Sequence, residues 1–66
     1  MTPAAALDAR IAAVRDYVAA VEAWQAATEP EKRADRLRTM HDAMRLEGKT
    51  RIALDDAIAE AARERS

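Results

Sequence analysis

The sequence predicts an all-α fold, either three helices or a long helical hairpin, completed by oligomerisation or by a partner chain. Three observations carry that expectation. Only one Gly and two Pro interrupt 66 residues. Strong helix formers fill almost every window. The large apolar side chains recur at three- and four-residue spacing rather than alternating. A chain of this length makes one domain, residues 1–66, and buries only about 60% of the surface that its unfolded form exposes. The usual staples of a small domain are missing, because cysteine is absent and one histidine cannot anchor a zinc site alone. Eighteen Ala against fifteen large apolar residues make the core thin.

The first helix is expected over residues 3–27. Thr2 is its N-cap and Pro3 occupies the first helical position, where its missing N–H costs nothing. Leu7, Ile11, Val14, Val18 and Val21 follow at spacing 4-3-4-3, the seam of a coiled coil or tight hairpin. Tyr17 and Trp24, seven apart, widen that stripe. These seven residues are the expected partner-binding surface, since aromatic residues on a helix face dominate interface energetics. On the far side Ala5, Ala9, Ala12, Ala19, Ala20, Ala23 and Ala27 form a second, smooth face.

A second helix is expected over 29–47. Thr28 with Glu31 three residues on has the form of a capping box, and Pro30 is tolerated only in a first turn. Ala34, Leu37, Met40 and Met44 give this helix a weaker stripe beside His41. Gly48 can take the left-handed conformation that stops a helix, after which Thr50 would cap a third over 51–64, with Leu54, Ile58 and Ala61 or Ala62 inward. The alternative is a single helix from 29 to 64 through Gly48, since Gly inside a helix costs only about 1 kcal/mol relative to Ala.

Charge and motifs narrow the function. Eleven basic and twelve acidic residues leave a net charge of -1, so no strong field draws nucleic acid or an acidic membrane. Lys32, Arg33, Arg36 and Arg38 are the candidate phosphate contacts, but Glu29, Glu31 and Asp35 interleave them and favour local pairs such as Glu29–Arg33 and Asp42 with Arg38 or Arg45. His41 has no carboxylate or second ligand at helical spacing. Asp56, Glu60 and Glu64 form an acidic stripe without the Glu-x-x-His pairing of di-iron bundles. Ser66 is terminal and the threonines sit at expected caps, so no nucleophile with a base is assembled. Catalysis, a metal and a cofactor are therefore not expected. The N-terminal stretch lacks a basic, apolar leader, and no span is long enough for a membrane, which predicts a cytoplasmic protein.

Residues 48–59, beginning Gly48-Lys49-Thr50, resemble the last turn and helix of the histone fold. They are also similar to the helix-turn-helix half of ribbon-helix-helix antitoxins. Pro30 breaks the long central helix that the first requires, and no strand precedes the second helix as the other requires. The expectation is thus a helical protein–protein interaction module, a subunit, adaptor or inhibitor that binds itself or another protein. The alternative is a small dimeric nucleic-acid-associated regulator of phage or toxin–antitoxin type.

Overall fold

The computed structural model describes residues 1–65, and among them it contains two helices and no strand. Helix α1 spans Pro3–Ala26 and α2 spans Pro30–Arg65, 24 and 36 residues long. They pack antiparallel as a hairpin with principal extents of 55 × 13 × 12 Å. At a rise of about 1.5 Å per residue, α2 alone accounts for the long dimension.

The start of α1 forms as its residues dictate. Thr2 Oγ1 accepts the Ala5 N–H at 3.2 Å, the Ala6 N–H reaches Thr2 O at 3.0 Å, and Pro3 opens the first turn. The helix ends where Ala27 turns extended, its N–H still shared between Ala23 O and Trp24 O at 3.2 and 3.3 Å. Three residues then reverse the chain. Arg33 N–H donates to Glu29 O at 2.8 Å, so Glu29 stands at the head of α2, and the box expected between Thr28 and Glu31 does not form.

Three helices were one of the two architectures expected, and the hairpin is the one adopted. No break occurs between residues 47 and 51. Gly48 keeps an ordinary negative φ, and α2 continues past it because strong helix formers on both sides outweigh a local cost of about 1 kcal/mol. Thr50 caps no new helix. Its hydroxyl donates backward to Glu47 O at 2.8 Å, which satisfies it within the helix.

The seam between the helices corrects a second expectation. Among the described residues the buried ones are all alanines: Ala6, Ala13, Ala20 and Ala57. On α1 the first three recur at intervals of seven and alternate with Arg10, Tyr17 and Trp24, also seven apart and half-buried. On α2 the half-buried Met40, Ala43, Glu47, Thr50, Leu54 and Ala61 face them, with Leu37 at the edge of the contact. The stripe Leu7, Ile11, Val14 and Val18 lies one residue off this seam and stays 37–51% exposed, with only Val21 half-buried. Ile58, expected inward, is also largely exposed. Small residues let two backbones approach closely, and the longer Arg10, Tyr17 and Trp24 close the edges of that contact.

Candidate interaction face

Five alanines of the seam are each followed by a large apolar residue: Ala6 by Leu7, Ala13 by Val14, Ala20 by Val21, Ala43 by Met44 and Ala57 by Ile58. One residue forward turns a helix by about 100°. Because α1 and α2 run antiparallel, that turn carries the side chain to the same side of the hairpin on both helices. Tyr17 Oη meets Met44 Sδ at 3.9 Å along that edge. The hairpin thus presents one broad apolar face. Leu7, Ile11, Val14 and Val18 stand on its α1 half, and Leu37, Met44 and Ile58 on its α2 half.

Charges divide according to their distance from this face. Arg10 Nη2 crosses the seam to Glu47 Oε1 at 3.8 Å, both side chains mostly buried. On the outside of α2, Lys32 pairs with Glu29 and Arg38 with Asp35 at 3.8 Å, and Arg45 with Asp42 at 4.0 Å. These exposed pairs contribute about 0–1 kcal/mol each. Asp8 and Arg15 flank the α1 stripe, His41, Arg51 and Asp55 lie along the α2 stripe, and all five are exposed without an ion-pair partner among the described residues.

The two aromatic residues expected at the partner surface belong to the hairpin's own seam instead. Tyr17 bridges to Met44. Trp24 lies under the guanidinium of Arg33, 4.7 Å from the ring centroid, while Arg33 Nη1 donates to Ala27 O at 3.1 Å. That arrangement fastens the turn. It also engages Arg33 within the chain, and the ion pairs do the same for Lys32 and Arg38, leaving Arg36 of the four phosphate-contact candidates unpaired among the described residues.

Elsewhere the chemistry is sparse. Among the described residues no three His, Asp or Glu side chains gather where they could hold a metal ion. Asp56, Glu60 and Glu64 lie in solvent. A shallow cleft of about 300 Å³ opens at the free end of the hairpin, between the Met1–Pro3 segment and Ala57, Glu60 and Glu64. No described helix is long and apolar enough to cross a membrane. Comparison with known protein families, curated proteins and solved structures gives no significant match to this chain.

The α1 stripe was legible in the sequence as apolar spacing. The α2 half was not, because Gly48, Arg51 and Asp55 interrupt its pattern, and only the antiparallel register brings Met44 and Ile58 to the same side as Leu7 and Val14.

Proposed function

We propose that this chain is a small helical protein–protein interaction module of the cytoplasm, acting as a subunit, adaptor or inhibitor through the face built on Leu7, Ile11, Val14 and Val18. One observation carries the reading. The hairpin buries alanine and leaves Leu7, Ile11, Val14, Val18, Met44 and Ile58 largely exposed, the reverse of what a self-sufficient small domain does with such residues. Contiguous apolar surface of this kind on a soluble helix pair marks a place where another helix packs.

The alternative, a regulator holding nucleic acid through Lys32, Arg33, Arg36 and Arg38, is weaker. Three of those four side chains already have partners inside the chain, and the net charge is -1. Phosphate binding also loses affinity steeply with salt, whereas an apolar helix interface changes little.

Photo-crosslinking in the source cell tests the proposal. A photoreactive residue at Val14 is expected to give a discrete protein adduct, and one at Ala59, on the outward side of α2, is expected to give none. Equal labelling at both positions, or no adduct at either, contradicts the reading.

A further inference from the structure

Resting on that reading, we infer that the occupant of the apolar face is a second copy of this chain, related by a two-fold axis that crosses the helices at Gly48, so that two hairpins make a four-helix bundle. The first support is angular. A helix in such a bundle touches two neighbours about 90° apart. On α1 the alanine seam and the stripe Leu7, Ile11, Val14 and Val18 are two adjacent contact lines, offset by the turn of a single residue, about 100°. One line is filled by α2 and the other is open.

The second support is area. The chain exposes 5098 Å², about 900 Å² more than a compact monomer of 7.3 kDa. A standard interface buries about 800 Å² per partner, so one face of the hairpin supplies what a stable dimer requires.

The third support is symmetry. When α1 packs antiparallel on its copy, Leu7 falls opposite the partner's Val18 and Ile11 opposite the partner's Val14, each pair occurring twice about a midpoint between Ala12 and Ala13. On α2, Leu37, His41, Met44, Gly48, Arg51, Asp55 and Ile58 keep 4-3-4-3-4-3 spacing, a pattern that folds back on itself, to within one residue, about the Glu47–Gly48 position. Folding it on itself sets Leu37 against the partner's Ile58, His41 against the partner's Asp55 and Met44 against the partner's Arg51. The two midpoints are independent in sequence, yet a single axis demands that they stand level. They do: Arg10 meets Glu47 and Tyr17 meets Met44, which places the α1 midpoint opposite about residues 45–48 of α2.

Charge agrees with that geometry. Asp8 lies within about 3 Å, along the helix axis, of the partner's Arg15, and the symmetric pair repeats it, giving partners to side chains that have none in the isolated chain. Gly48 then has a reason to interrupt α2. A Cβ built there meets nothing within 4 Å in its own chain, so the hairpin does not need glycine at this position, whereas two α2 helices crossing on the axis do gain close approach from it.

Because the chain has no cysteine, single engineered thiols report the geometry directly. Gly48→Cys is expected to form a disulfide-linked dimer of twice 7.3 kDa under mild oxidation, since a residue on the axis meets its own copy. Ile52→Cys, on the outward side of α2, is expected to form no disulfide link between the two copies. Asp8→Arg and Arg15→Asp should each raise the dimer dissociation constant by about tenfold, and the double variant should return it to within about threefold of wild type. Thiols at Gly48 that do not join, equal joining at Ile52, or charge reversals without mutual rescue overturn the two-fold dimer. A Val14 photo-adduct of a mass other than two chains overturns it as well, while leaving the interaction-module reading intact.

Discussion

Replacing Ala13 by Leu distinguishes the alanine seam from the bulky stripe beside it. Ala13 is 2% exposed and sits midway along the contact between α1 and α2, where no space remains for a branched side chain. Inserting one forces the helices apart or the side chain off its rotamer, at a cost of about 1–3 kcal/mol. A domain of this length has a total stability of about 3–10 kcal/mol. With a melting shift of about 4–8 °C per kcal/mol, the variant should melt about 5–20 °C below wild type by far-ultraviolet circular dichroism at matched concentration. Ala12→Leu makes the same chemical change on an exposed neighbour and should stay within about 0.5 kcal/mol of wild type. If the stripe Leu7, Ile11, Val14 and Val18 were the true hairpin seam, Ala13 would stand at its edge and Leu would add useful burial. An Ala13→Leu variant as stable as wild type, or more so, refutes the alanine seam.

Other predictions concern the ends of the hairpin. Arg33→Ala removes both the stack on Trp24 and the bond to Ala27 O, and should lower stability in urea by about 1–2 kcal/mol. Arg33→Lys should recover less than half of that, because a point charge cannot make the planar stack and the hydrogen bond together; full recovery would show that only charge matters. Thr2→Ala deletes the cap on Ala5 N–H and should cost about 1 kcal/mol, with Thr2→Ser close to wild type. An unchanged urea midpoint for Thr2→Ala would mean that the first turn frays and the cap contributes nothing.

The start of α1 and the turn near residue 28 were legible in the sequence because local chemistry decides them. Thr2 and Pro3 can do little else but open a helix, and Pro30 can follow only a break. Gly48 misled for the converse reason. Its stop signal is permissive, and sixteen residues of good helix former beyond it, residues 49–64, carried the helix through. The ion pair of Asp42 with Arg45 formed as local spacing suggests, while Arg33 left Glu29 for Trp24, a partner that only the folded turn brings near. The seam was displaced by one residue because α1 is apolar nearly all round. Hydrophobic spacing finds the line of largest side chains, yet a tight two-helix contact selects the line of smallest ones, and Ala6, Ala13 and Ala20 are inconspicuous among eighteen alanines. The same reasoning hides the α2 half of the face, where a glycine and two charges break the apolar run.

The central claim is that the hairpin is half of a bundle, and the melting temperature of the unmodified chain as a function of its concentration tests it most directly. A hundredfold change in concentration alters the free energy of a dimer by about 2.7 kcal/mol. Two chains of 66 residues unfold with an entropy of about 0.28 kcal/mol/K, taken at about 2.1 cal/mol/K per residue. The melting temperature should therefore rise by about 10 °C across a hundredfold increase in concentration. A melting temperature that stays constant over that range, in a chain that remains helical, contradicts the claim.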